Sequence, residues 1–354
     1  IEENKTLRDI GGHCINETDG LFIQLEQDDP KYFQTKLTAC NEHGIDAEVI
    51  SAEEAKARVP EISDTVERAM IVPDAAIYPT RLIAANAEST VEHGGTVHTD
   101  APVENITVSD GEIHSVDIGG SLDETIEPEY VVNATGAWAD TLGAMAGVDF
   151  EMKPTKGVMF SVEYDGLDTV LNRCRPPADG DIIIPHEGEV VLGTTSVEVD
   201  DPDDFPEEQW EVDRMYEECS DMLPPVEDSE QIRTWWACRP LYAPDESDRG
   251  DSGEGDERSI SRDFSLLEHT QDGVENFASV VGGKLTTYRM MAEATADHVC
   301  NALGVNAEST TAIEQLPGAD DPDTLDQLVA KYSEPQPTDA GVIIDRSESV
   351  TADD

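Results

Sequence analysis

Apolar and polar positions follow two rhythms along this chain, and each change of rhythm marks an element. Asp28-Asp-Pro30 sets acids ahead of a proline in a first helical turn and predicts a helix through about Cys40. Residues 47–50 form a short apolar strand. Ser51-Ala-Glu-Glu54 then carries the spacing of a capping box, and Pro60 stops the helix it opens. A further helix runs from Pro79 to about Glu92 and ends at Gly94-Gly95. Strands are predicted at 96–99, 103–108 and 113–118. The last two are joined by Ser109-Asp-Gly-Glu112, a hairpin turn in which Asp-Gly accepts positive φ. A strand at 129–134 leads into a helix at 138–145. Strands at 158–163, 181–185, 189–193 and 232–239 make a second region, with a helix at 207–222 among them. Residues 245–258 are polar, acidic and Gly-rich, as an exposed loop requires. A strand at 276–281 and a long helix at 284–303 follow. After Leu316 the residues turn to Asp, Pro, Thr and Ser, a linker or a truncated further domain. The alternation implies a mixed α/β or α+β protein, and no internal repeat interrupts it.

Composition bounds this reading. A chain of 354 residues, 38% hydrophobic, is long enough for one large domain or two ordinary ones and is no disordered acidic tail. No apolar run approaches the roughly 20 residues of a membrane helix. Lys plus Arg is 22 against 78 Asp plus Glu, a net charge of -56 spread along the chain. Such a charge excludes nucleic acid as a main partner, because phosphate binding needs clustered cations. It also repels itself strongly in dilute salt, whereas at 1 M the Debye length falls to about 3 Å. Adaptation to a very salty cytoplasm, as in an extreme halophile, is the expectation. The six cysteines stand far apart with no C-x-x-C pair, so no metal site is expected and the compartment reads as reducing. Residue 1 is Ile, and residues 1–8 read as a helix already under way, so the chain is expected to be a fragment lacking preceding material.

Three constellations carry chemistry. Val131-Val-Asn-Ala-Thr-Gly-Ala-Trp138 runs a strand into Gly and then a helix, and ligands bind at such strand ends in doubly wound sheets. Any strand–turn–helix also needs a small turn residue. Ser279-Val-Val-Gly-Gly-Lys-Leu-Thr-Thr-Tyr-Arg289 meets a double glycine before a helix whose free N–H groups favour an anion or an electron-rich group. Lys284 either adds a charge there or points to solvent. Arg239 ends an aromatic, apolar strand, and Arg262 precedes another. Each offers a fork suited to phosphate or carboxylate, or pairs with a nearby acid. His186, just past a strand, is a candidate base.

Taken in order, Ser51-Ala-Glu-Glu-Ala55 with Pro60, Val72-Pro-Asp-Ala-Ala-Ile-Tyr-Pro79 and Val131–Trp138 resemble the FAD-dependent amine and hydroxy-acid oxidoreductases. Pro154-Thr-Lys-Gly157, Leu192-Gly-Thr-Thr195, Arg239-Pro-Leu241, Ser261-Arg-Asp263 and Gly282-Gly-Lys-Leu-Thr-Thr-Tyr288 narrow this. Together they resemble the FAD-dependent glycerol-3-phosphate dehydrogenase family, most of all the catalytic subunit of its anaerobic, multi-subunit type, over residues 1–305. The family's opening strand–G-x-G-x-x-G–helix unit and cysteine-rich C-terminal region are absent here, and both are expected to have been cut away. The resemblance implies an α/β fold. An interrupted, Rossmann-like FAD domain of the glutathione-reductase type (75–150 and 275–305) would join a substrate domain on a mixed or antiparallel sheet (20–74 and 151–274), with 306–354 a linker or truncated region. It implies oxidation of sn-glycerol 3-phosphate to dihydroxyacetone phosphate. Arg239, Arg262 and Lys284 would meet substrate. Val103, Ala134, Thr135, Gly136, Gly282, Gly283, Leu285 and Thr286 would line FAD. His186 would act as base unless that group lies in the missing segment. Electrons would leave to a quinone or partner subunits, in the cytoplasm or at the inner face of the membrane. The alternatives are a superfamily member acting on a 2-hydroxy acid or amino acid, and a non-catalytic acidic partner subunit.

Overall fold

The computed structural model describes residues 2–242 and 264–333, with side chains from residue 5 onward in the first stretch. The expected loop at 245–258 lies outside the described residues. In chain order, α1 (Glu2–Gly11) is followed by β1 (Ile15–Glu17), β2 (Gly20–Leu25), α2 (Pro30–Glu42), β3 (Glu48–Ser51), α3 (Ala52–Arg58), β4 (Val66–Val72), β5 (Ala75–Ile77) and α4 (Pro79–Glu92). Next come β6 (Val103–Ser109), β7 (Glu112–Ile118), β8 (Glu124–Ile126), β9 (Val131–Asn133), α5 (Ala139–Met145) and β10 (Met152–Glu163). The remainder is β11 (Val170–Arg173), β12 (Ile182–His186), β13 (Glu189–Gly193), β14 (Val197–Glu198), α6 (Gln209–Met222), β15 (Gln231–Tyr242), β16 (Phe264–Glu268), β17 (Phe277–Gly282), α7 (Tyr288–Ala302) and α8 (Pro322–Tyr332).

A nine-stranded sheet runs β14-β10-β13-β12-β11-β2-β4-β3, with β15 also paired to β10. It is mixed: β11 and β2 are parallel, in register Val170↔Gly20, and the other pairs are antiparallel. Its strands come from residues 20–72 and 152–242. The helix α6 covers one face because Val212, Met215, Tyr216, Cys219 and Met222 recur at helical spacing and are buried. They pack against Val158, Phe160 and Val162 of β10, which alternate along the strand, and against Ile183 and Leu192. A second, smaller layer has strand order β16-β17-β9, with β17 parallel to β9. The three-stranded meander β6-β7-β8 packs on it through Ile106, Ile113 and Val116, which meet Leu142, Val148 and Phe277. The architecture is α/β with mixed and antiparallel sheets.

Local signals fold as their chemistry dictates. Ser51 and Glu54 form the reciprocal capping box. Asp110 and Gly111 take φ of 55 and 86, which closes the β6–β7 hairpin. Asp29 caps α2 by accepting from Lys31 N at 2.9 Å. Its neighbour Asp28 turns inward instead, to Arg173. Residues 96–99 differ from expectation. They are exposed and form no strand, and among the described residues no neighbouring ladder offers them hydrogen bonds. No described helix is long and apolar enough to cross a membrane.

Candidate functional site

The parallel strands β9 and β17 pair as Phe277↔Val131, Ala278↔Val132 and Ser279↔Asn133, so both finish at the same edge of their sheet. Beyond that edge the chain bends through glycines. Gly136 has φ 65, Gly282 φ 74 and Gly283 φ 77, values that an L side chain adopts only with strain. Past Asn133, residues Ala134 and Thr135 are exposed and Gly136 opens a 3-10 turn ending at Trp138. Past Gly283, residues Lys284, Leu285 and Thr286 are exposed, and Leu285–Thr287 form another 3-10 turn before α7. The helix therefore begins later than the sequence predicts. Thr287 Oγ1 accepts from Lys284 N at 3.1 Å and donates to Lys284 O at 3.0 Å, which closes that turn.

A buried polar chain fixes this edge, and sequence reasoning missed it. Asn133 Nδ2 donates to Ala139 O at 2.8 Å and to Ser279 Oγ at 3.0 Å, and its Oδ1 accepts from the Thr135 hydroxyl at 2.7 Å. The Ser279 hydroxyl, which accepts from Asn133, lies 2.9 Å from His269 Nε2, and His269 Nδ1 lies 3.0 Å from the Asp272 carboxylate. Asn133, Ser279 and His269 are all buried. The chain ties the two strand ends together and sets the Thr135 turn. Asn133 and Ser279 sit inside the motifs singled out above, yet only the parallel register makes them partners.

Arg239 belongs to the large sheet, on the strand β15. It stands opposite Thr155 of β10 and is half-buried. Its Nη2 donates to Thr194 Oγ1 and to Thr195 O, both at 3.0 Å. A Cβ at Gly157 would stand 2.7 Å from that nitrogen, so the glycine leaves the room the guanidinium occupies. The next residue, Pro240, approaches the other layer: its Cβ is 4.0 Å from where a Cβ on Gly136 would lie. Strand β15 thus brings Pro240 to the Gly136 turn, with Arg239 the residue before it.

Other expected site residues fall elsewhere. His186 ends β12 opposite Glu189, at the hairpin tip, while Thr194 follows the other end of β13. Four residues at about 3.3 Å each separate those ends. His186 contacts Tyr78, with ring centroids 5.2 Å apart, and the structure does not bring it to Arg239. Burial raises the Tyr78 hydroxyl above its ordinary value, and Glu187 adds to this. Val103 begins β6, pairs with Ile118 and packs on the cluster around Ile106. Arg262 lies outside the described residues.

The model of a family described as FAD dependent oxidoreductase matches residues 2–312. The chain is 48% identical over 335 residues to the A1 subunit of the anaerobic glycerol-3-phosphate dehydrogenase of Haloferax volcanii, covering 91% of this chain and 56% of that protein. It is 35% identical over 328 residues to the corresponding subunit of the Escherichia coli K12 enzyme, covering 91% and 59%. The chain therefore spans little more than half the length of these relatives. Among solved structures it resembles glycerol-3-phosphate dehydrogenase from Bacillus halodurans complexed with FAD, at TM-score 0.70 and 23% identity, over 90% of this chain and 58% of that one. It also resembles the L-alpha-glycerophosphate oxidase of Mycoplasma pneumoniae, at TM-score 0.66 and 15% identity, over 89% and 82%. Likeness at these identities establishes the fold.

Proposed function

The chain belongs to the FAD-dependent oxidoreductase family, and from that premise we propose that it forms the substrate-facing part of an enzyme oxidising sn-glycerol 3-phosphate to dihydroxyacetone phosphate. One observation carries the reading: Pro240, the residue after Arg239, meets the Gly136 turn, at the strand ends where Gly282 and Gly283 also bend. The residues present fit the ring end of FAD, because glycine backbone with no Cβ in the way lines that edge beside exposed Leu285 and Thr286. Ala134, Thr135, Gly136, Gly282, Gly283, Leu285 and Thr286 would hold it there, and Val103 would touch the adenosine part. The sequence contains no G-x-G-x-x-G, so these residues supply no fingerprint cradle for the pyrophosphate.

When bound, FAD supplies a hydride acceptor at ring N5. The chain's own residues do the rest. Arg239 presents a planar fork to the substrate phosphate, and its bonds to Thr194 and Thr195 fix the direction of that fork. Arg262 takes a second contact to the same substrate. Lys284 sets a positive charge at the glycine edge, where negative charge develops on reduction. His186, at its hairpin tip beside Tyr78, stays the candidate proton acceptor named by the sequence. Residues 75–150 and 275–305 form the cofactor domain, and 20–74 and 151–274 the substrate domain. Electrons pass on to a quinone or to partner subunits.

Steady-state kinetics on the FAD-loaded enzyme test this. Arg239→Ala loses a charge-assisted contact of about 1.5–3 kcal/mol, so kcat/KM for glycerol 3-phosphate falls about ten- to more than a hundredfold. Turnover of glycerol falls much less. Unchanged kcat/KM for the phosphorylated substrate, or equal losses on both, would return the substrate to the 2-hydroxy and amino acids.

A further inference from the structure

Thr194 and Thr195 straddle the large sheet. Thr194 Oγ1 accepts from Arg239 on one face, whereas Thr195 Oγ1 donates to Glu211 of α6 at 2.8 Å on the other. The two faces follow from the pleat. Arg239 pairs with Thr155 and borders Gly157, while the intervening Lys156 points the opposite way, toward α6. Glu211 is fully buried. Its Oε2 accepts from Lys156 Nζ at 2.8 Å and from Trp236 Nε1 at 3.0 Å. Lys156, 1% exposed, also donates to Pro206 O at 2.5 Å. Thr195 Oγ1 in turn accepts from Val158 N at 3.0 Å. The bonds at the Glu211 carboxylate are thus received from donors on or beside the sheet, and one of them holds the residue whose carbonyl orients Arg239.

We infer that Glu211, neutralised by Lys156, is a positioning residue that fixes the Arg239 guanidinium through Thr195. The inference rests on the reading of Arg239 as the phosphate contact. Burying an ion pair gains little stability over apolar side chains of the same volume. Its distinct contribution here is directional: a carboxylate accepts from three donors at once, which no apolar side chain and no amide does. Glu211→Gln still reaches all three, its Oε1 accepting from Lys156 and Trp236 and its amide N–H donating to the Thr195 hydroxyl, whereas Glu211→Leu combined with Lys156→Met releases Thr195 without stranding a buried charge. The consequence is a looser fork for Arg239, seen in anion binding and KM more than in turnover at saturation.

The test uses the oxidised, FAD-loaded enzyme in high salt, with inorganic phosphate as the calorimetric probe and glycerol 3-phosphate for kinetics. Thr195→Val keeps shape but removes the hydroxyl. It should weaken phosphate binding and raise KM about fivefold, as loss of one hydrogen bond predicts, with kcat within about twofold. Thr195→Ser, which keeps the hydroxyl, should restore both. Lys156→Met with Glu211→Leu should behave as Thr195→Val does, and thermal melting of each variant separates lost fold from lost orientation. Should Thr195→Val not fold, this double variant carries the test alone. Wild-type phosphate affinity in folded Thr195→Val or in the folded double variant, alongside weakened binding in Arg239→Ala, would overturn this inference and leave the substrate reading intact. Wild-type affinity in Arg239→Ala would overturn both.

Discussion

Arg173→Met probes a charge the fold has buried away from the candidate site. Arg173 ends β11 with its side chain 4% exposed, and it reaches three carboxylates from different parts of the chain. Its Nη2 is 3.0 Å from Asp28, and its Nε also donates to that carboxylate, at 3.0 and 3.2 Å. Its Nη1 donates to Glu218 at 3.1 Å and to Asp221 at 3.3 Å. The loss is unequal among these partners. Glu218 keeps Arg175 and Arg214, both at 2.8 Å, and Asp221 is half exposed. Asp28, 3% exposed, keeps the Leu25 N–H at 3.0 Å but loses its paired cation. Stranding one buried charge costs about 3–5 kcal/mol. The exposed Arg8–Glu17 pair provides the contrast, since Arg8→Ala should change stability by about 1 kcal/mol or less. Urea denaturation in dilute and in molar KCl separates the two effects. Salt screens the general repulsion of the -56 chain and raises the stability of wild type and variants alike. It does not reach Asp28, so the deficit of Arg173→Met should persist in molar KCl. Adding Asp28→Leu should recover most of it, because both charges are then gone. A deficit below about 1 kcal/mol, or one that salt abolishes, would refute the view that this cluster is electrostatically buried.

Three further expectations follow from the same structure. The wild-type melting temperature should climb steeply between dilute and molar KCl, and a flat profile would contradict the repulsion argument. Gly283→Ala combines a φ of 77 with a Cβ only 2.4 Å from Met291 Sδ, so it should destabilise by about 1–3 kcal/mol, measured by denaturation, and weaken FAD retention. Burial pushes the Cys14 and Cys174 thiols from 9.0 up to about 11. Below pH 9 both states hold the proton and this contribution is whole. As pH rises from 9 to 11 the unfolded chain ionises first and stability falls, and replacing both cysteines with Ala should flatten that limb of the pH–stability curve.

What was legible in the sequence was what neighbours in sequence decide. The Ser51–Glu54 box, the Asp110-Gly111 turn and the proline-led α2 and α4 each need only a few adjacent residues, and each folds as expected. The parallel β2–β11 pair went unread, because its partners lie about 150 residues apart and only the fold brings them into register. The glycine bends at 136 and 282–283 were visible as motifs. That they end at one edge depends on the β9–β17 register, and so does the Asn133–Ser279 bond that holds them.

The acids show why the remainder was hidden. Asp28 and Asp29 are adjacent and identical in type, yet one neutralises a buried arginine while the other caps a helix at the surface. Glu211 shares its helix with the exposed acids Asp213, Glu217 and Asp221, and only its place four residues before Met215, on the apolar stripe, sets it apart. In a chain with 78 acids, selection for a charged surface supplies carboxylates at almost every solvent-facing position, so composition cannot mark those with internal work. Cations carry the opposite signal. Only 22 exist, and those singled out by scarcity include Arg239, half-buried with its guanidinium fixed on Thr194 and Thr195. For a strongly acidic protein the rare basic residues are therefore the better guide to chemistry, and the buried acids are found by asking which of them answer those cations through the fold.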